Sequence, residues 1–247
     1  MDFSQTDYLL ALAMLVGATL YSSVGHGGSS AYIALMALFG VQQPVMKPTA
    51  LVLNLIVSSL GTVRYFRAGQ FRWRTLWPFL IGSLPFAFIG GGLKVPGEYY
   101  RPLVGAVLLY AGLRLLWPRP MKAQTEWRDP PVWIAVLCGA GIGLLSGLTG
   151  TGGGIFLSPL LMFMAWSLPK PASGVAALFI LANSASGLLG NLAQVQALPP
   201  QLPLYAGAVL LGGIAGTTLG IKLTSPKVIK VMGAVLLVAS AKLFGVY

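Results

Sequence analysis

Long apolar stretches dominate the chain, and short polar breaks divide them into ten segments. No Asp, Glu, Lys or Arg lies between Asp7 and Lys47, or between Asp129 and Lys170. A membrane-spanning helix needs roughly 20 apolar residues, so each of these runs holds two helical segments. The first half is expected to carry segments at 8–24, 29–43, 48–66, 73–93 and 99–117. The second half carries them at 131–149, 154–168, 172–194, 203–221 and 228–245. The second segment of each half is short. At 1.5 Å per residue, about 15 residues cover about 22 Å, less than a hydrocarbon core of about 30 Å. The first two segments of each half therefore form either a re-entrant hairpin or a pair of broken, tilted spans. The predicted class is an all-α, polytopic membrane helix bundle with 8–10 transmembrane or re-entrant segments.

The two halves repeat each other. Ser23-Val24-Gly25-His26-Gly27-Gly28-Ser29 returns as Leu148-Thr149-Gly150-Thr151-Gly152-Gly153-Gly154, half a chain later. Lys47-Pro48 matches Lys170-Pro171, and Gly105-Ala106-Val107-Leu108-Leu109 matches Gly233-Ala234-Val235-Leu236-Leu237. The stretch 82–91 resembles 207–216, in the same order, and Arg114 falls near Lys242. The period is too long for a solenoid. Residues 1–118 are expected to form the first repeat, 119–130 a cytoplasmic linker and 131–247 the second repeat.

Composition narrows the class. Charged residues make up 9% of the chain and hydrophobic ones 56%, whereas a soluble domain carries about 25% charged residues. The net charge of +11 does not mark a nucleic-acid partner, because the cations sit in short loops between apolar runs. Arg64, Arg67, Arg72 and Arg74 crowd one loop, and Arg114, Arg119, Lys122 and Arg128 crowd the central linker. Placing both in the cytoplasm also puts Lys170, Lys222, Lys227 and Lys230 inside. Lys47, Lys94, Arg101 and Lys242 remain outside, and the asymmetry follows the positive-inside bias. An odd number of crossings per half then inverts the halves about an axis in the membrane plane, with both termini external. The acidic start at Asp2 and Asp7 lacks the basic region of a signal peptide, so the first apolar segment is expected to be retained. Cys138, the only cysteine, reads as a small packed hydrophobe.

The glycine motifs carry the candidate chemistry. In lipid, broken backbone is tolerated only where protein or a watery cavity surrounds it. Matching breaks in two halves point to a transporter's binding site. New helices beginning near Ser29 and Gly154 would present unpaired N–H groups and the positive ends of helix dipoles. Two such starts aimed at the midplane form an anion site without a full positive charge. The candidate substrate-binding residues are Ser23, Gly25, His26, Gly27, Gly28, Ser29, Thr149, Gly150, Thr151, Gly152, Gly153, Gly154, Asn54 and Asn183. Ser22, Ser30 and Asn191 offer further donors. Small residues in membrane helices also simply let helices approach, and this reading competes at each single Ser or Thr. His26, the only histidine, contacts the anion, couples transport to a proton gradient, or is a neutral ring bonded to a neighbour. All five carboxylates (Asp2, Asp7, Glu98, Glu126, Asp129) lie at ends or loops, so no intramembrane carboxylate relay is expected. Lys47 and Lys170 either draw anions toward opposite mouths or anchor at the interface. One histidine and no buried carboxylate leave no metal site or cofactor expected.

The paired Gly-x-Gly-Gly motifs (Gly25-His26-Gly27-Gly28 and Gly150-Thr151-Gly152-Gly153), the Lys-Pro steps, and Gly69 after an Arg-bearing turn resemble the TauE/SafE family of anion exporters. The resemblance covers nearly the whole chain. It is closer at the second motif; the first has Ser29 where the second has a third glycine. It implies about eight spans, residence in the bacterial inner membrane, and transport of sulfite, sulfonates or other small organic anions. The expected function is secondary transport of a small anion, outward, by alternating access; the expected partners are that anion and the lipid bilayer, with a proton or Na⁺ as candidate coupling ions and no nucleic acid. Oligomeric state is not readable. Two alternatives stand beside it. One is a passive anion channel. The other is an intramembrane hydrolase using Ser22 or Ser23 with His26, which leaves the repeat unexplained.

Overall fold

The computed structural model describes residues 3–116, 128–192, 198–222 and 226–245. They form ten α-helices and no strand: α1 (Gln5–Ser22), α2 (Ser29–Leu38), α3 (Gln43–Arg67), α4 (Trp73–Gly92) and α5 (Gly97–Leu116), then α6 (Val132–Thr149), α7 (Gly154–Phe163), α8 (Pro169–Asn191), α9 (Leu202–Lys222) and α10 (Pro226–Leu243). Five of them, α3, α4, α6, α8 and α9, are long and apolar enough to cross a membrane. Arg119 and Lys122 of the expected linker, and the side chains of Lys222, Lys227 and Lys230, lie outside the described residues.

Local chemistry sets the helix limits. Ser4 starts α1 with a capping box: its hydroxyl accepts from the Asp7 N–H, and the Asp7 carboxylate accepts from the Ser4 N–H. α2 and α7 have 10 residues each, shorter than the expected 29–43 and 154–168. Gly40 takes a left-handed φ of 75° just after α2, and Ala165 a φ of 63° just after α7, which stops each helix early. α3 starts sooner than expected, because Pro44 occupies its first turn and the helix continues through Pro48.

Small residues set the packing. α6 lies along α4 at backbone distance. A Cβ at Gly139, Gly143 or Gly147 would sit 2.3, 2.2 and 2.2 Å from the carbonyls of Phe79, Ser83 and Ala87. α9 lies along α1 in the same way, with Gly212, Gly216 and Gly220 against the carbonyls of Leu15, Thr19 and Ser23. Partner numbers rise together in both pairs, so the paired helices run parallel. Small-residue stripes of this kind let membrane helices pack without a hydrophobic driving force.

These two pairings are counterparts under exchange of the halves of the chain, and the halves are interleaved: each opening helix packs on the fourth helix of the other half. α3 and α8 cross antiparallel at the centre, where Asn54 meets Ser184 and Gly61 meets Ala177. α5 pairs with α10, and the Ser240 hydroxyl donates to the Gly105 carbonyl.

The contacts sort the helix ends into two groups. At one end Asp7 accepts from Tyr205, Lys242 donates to the Leu38 carbonyl, and Lys47 reaches the end of α4. At the other end Arg72 pairs with Asp129 at 3.2 Å and Phe79 packs on Trp166. α1 and α2 leave and return to the first end as a hairpin. α6 and α7 do so from the second end. Arg64, Arg67, Arg72, Arg74, Arg114, Arg128 and Lys170 follow the second end, whereas Lys47, Lys94, Arg101 and Lys242 follow the first.

Two buried apolar cores result. One gathers residues of α1, α2, α3, α5, α9 and α10, including Met14, Tyr32 and Leu108, with Ile155 of α7. The other gathers α4, α6, α7 and α8 around Phe79, Leu157, Trp166 and Phe179. Phe156 of α7 packs against both.

Candidate functional site

The two hairpin tips meet inside the bundle. In the first turn Gly25 and Gly28 take left-handed φ values of 77° and 99°, and in the second Gly150, Gly152 and Gly153 take 82°, 74° and 80°. Only glycine adopts these without strain. The turns match at Gly25 and Gly150 and at Gly28 and Gly153, and differ at Gly27 and Gly152. Each new helix then starts at the tip, α2 at Ser29 and α7 at Gly154. The tips touch directly: the Ser29 hydroxyl donates to the Thr151 carbonyl across the interface.

The backbone at this junction is rich in free donors. Among the described residues no carbonyl accepts from the N–H groups of 27–31, 151–153 or 155, the His26 ring interacts with the backbone of Gly154, and all of these tip residues are buried. A helix start leaves its first N–H groups without intrahelical partners. Here two starts leave them in one place, with both dipoles positive toward it.

The side chains divide into those that line the junction and those that brace it. Asn54 of α3 sits between the motifs. A Cβ on Gly27 would lie 1.9 Å from its Oδ1, and one on Gly152 would lie 2.2 Å from its Nδ2. Its Nδ2 donates to the Ser184 hydroxyl at 2.8 Å. The His26 Nδ1 lies 3.2 Å from the Val24 carbonyl oxygen, and its Cδ2 would be 3.5 Å from a Cβ on Gly154. The ring therefore rests on the start of the opposite helix.

Thr149 and Thr151 share a hydrogen bond at 2.9 Å. Ser23 donates to Leu20 and Asn183 donates to Phe179, each back to its own helix. Asn191 donates to the Gly91 carbonyl, away from the tips. Ser22 donates to Ala18, so neither Ser22 nor Ser23 is hydrogen-bonded to His26.

Tyrosines and a lysine hold the tips from behind. Tyr32 donates to the Gly27 carbonyl, Tyr65 to Ser22 and Tyr100 to Thr149. Lys47 is 8% exposed. Its amine donates to the Gly90 and Gly91 carbonyls at the end of α4, and its stem packs on Gly150. Its counterpart Lys170 is exposed. Ser184, Tyr65 and Tyr100 carry no repeat signal in the sequence, because they act through contacts between distant helices.

A helical bundle with two glycine-broken hairpins meeting at a buried cluster of donors defines a multi-pass membrane transporter. The chain matches the family described as Sulfite exporter TauE/SafE over residues 9–243 and belongs to that family. It is 38% identical over 234 residues to "Probable membrane transporter protein y4hK" of Sinorhizobium fredii, covering 94% of this chain and 95% of that one. It is 24% identical over 257 residues to "Probable membrane transporter protein YjnA" of Bacillus subtilis, covering 95% and 98%. With "Probable membrane transporter protein MJ0441" of Methanocaldococcus jannaschii it shares 26% over 196 residues, covering 74% and 73%.

Proposed function

We propose that the chain is a secondary transporter that exports a small oxyanion, sulfite or an organosulfonate, across the bacterial inner membrane. The observation that carries this is the meeting of two helix starts with their backbone donors unpaired. An anion held there accepts from backbone N–H groups of both halves and needs no full positive charge at the site. Membership of a family of sulfite exporters supports the sulfur chemistry and the outward direction.

The helix directions support halves inverted about an axis in the membrane plane, with three full crossings and one hairpin in each. Sites of such transporters lie where the repeats meet. Alternating access then moves the two apolar cores against each other, because the anion site lies on their boundary. The arginine-rich end is the cytoplasmic one by the positive-inside bias. His26 is a candidate for proton coupling, since it belongs to one hairpin and rests on the other.

Gly152→Leu tests the site. The substitution forces a left-handed residue to carry a side chain and drives it into Asn54. Transport should be abolished while membrane insertion is retained; normal efflux by the inserted variant would count against the reading. On the unaltered protein, a thermal-shift panel of sulfite, thiosulfate, sulfoacetate, sulfate and lactate should show stabilisation by the bound class. A flux that ignores pH and Na⁺ gradients would identify a passive channel instead.

A further inference from the structure

One buried side-chain acceptor stands between the two tips without a hydrogen-bond partner. Asn54 is 0% exposed. Its Nδ2 donates to the Ser184 hydroxyl, and its Oδ1 has no hydrogen-bond partner. That oxygen points at Gly27, between the two tips. The backbone groups of the two tips are donors; the other unpartnered side-chain groups nearby are the Ser146 hydroxyl against Gly153 and the Asn183 Oδ1, whose Nδ2 is held by its own helix. The pseudo-equivalent crossing, Gly61 with Ala177, has no polar side chain, so the acceptor occurs once per molecule.

We infer that Asn54 selects small anions that carry their own hydrogen-bond donor, such as hydrogen sulfite, and that the proton thereby crosses on the substrate. This rests on the anion site proposed above. A fully deprotonated oxyanion would set its own lone pairs against Oδ1 and leave that buried acceptor unsatisfied. A hydrogen oxyanion satisfies both sets of groups: its oxygens accept from the helix starts, and its O–H donates to Asn54. The arrangement also gives proton movement without an intramembrane carboxylate. Asp7, Glu98 and Asp129 all lie toward the helix ends. The titratable or charged groups near the junction are His26 against Gly154, Lys47 behind Gly150, and Tyr21, Tyr32, Tyr65 and Tyr100 behind the tips.

Sulfamate and methanesulfonate test this directly. They are singly charged and similar in shape, and differ in presenting N–H or C–H. By titration calorimetry on the purified full-length protein, sulfamate should bind about tenfold more tightly, the worth of one hydrogen bond to a buried acceptor. Asn54→Leu should bring the ratio of sulfamate to methanesulfonate affinity to about one. Ser184→Ala, which frees the carboxamide to turn, should shrink it. Affinity for total sulfite should fall as pH rises and hydrogen sulfite loses its proton, whereas affinity for sulfamate stays level.

Equal affinity of the unaltered protein for sulfamate and methanesulfonate overturns the inference and leaves the anion site standing. Sulfamate binding that falls with pH in parallel with sulfite also overturns it, because the proton would then sit on the protein, at His26. Failure of both ions and of every anion in the thermal-shift panel to bind overturns the anion site itself.

Discussion

Alanine at two glycines of α6 should shift stability in opposite directions. A Cβ at Gly147 would lie 2.2 Å from the Ala87 carbonyl oxygen and 2.7 Å from the Gly91 nitrogen. Both are backbone atoms, which a rotamer change cannot clear. Restoring an ordinary contact of about 3.4 Å requires α4 and α6 to separate by about 1.2 Å, and α8 packs on the same spot through Gly187. Overpacking of this kind costs about 1–3 kcal/mol, and the loss of close contact along the stripe adds to it. The helix preference of alanine over glycine returns only about 1 kcal/mol. At Gly141 nothing lies within 4 Å of the added atom, so Gly141→Ala should gain the preference without the clash. Thermal unfolding of the two variants in one detergent should show Gly147→Ala below the unaltered protein and Gly141→Ala at or above it. A Gly147→Ala protein as stable as the unaltered one would refute the close approach of α4 and α6.

Lys47→Met should lower the unfolding temperature, because the Gly90 carbonyl loses its donor at a cost of about 1–3 kcal/mol. Lys170→Met, at an exposed position, should stay within about 0.5 kcal/mol. The same thermal assay reads both, and equal effects would show that Lys47 does not brace the end of α4. The helix directions put the ends of α1 and α10 at the cation-poor end, so a C-terminal tag should be labelled from outside intact cells. Labelling only after the cytoplasm is opened would reverse the proposed orientation.

Much of the site was legible because repetition is a one-dimensional signal. The paired motifs at Gly25 and Gly150 announced two turns, and the left-handed glycines are in those turns. The asymmetry of His26 and Thr151, and of Ser29 and Gly154, was visible in the letters. What Ser29 does was not, because its partner is the Thr151 carbonyl of the other repeat. Asn54 and Asn183 looked alike as amides in apolar segments. The fold turns Asn183 back onto its own helix and sets Asn54 between the tips. Lys47 and Lys170 looked like equivalent mouths, yet one is buried against α4 and the other is exposed. Identical neighbours in sequence meet different helices once the two halves interleave.

The sequence by itself determined the apolar segments, the duplication, the glycine breaks and the uneven spread of cations, since each depends on local composition or on the cost of placing charge in lipid. Tertiary structure decided that the first two helices of each half return as hairpins, that their tips meet, and that Asn54 stands between them. Those outcomes depend on backbone approach along the glycine stripes of α6 and α9. A sequence shows that such stripes exist, but the partner each one receives is settled only when all ten helices compete for the same contacts.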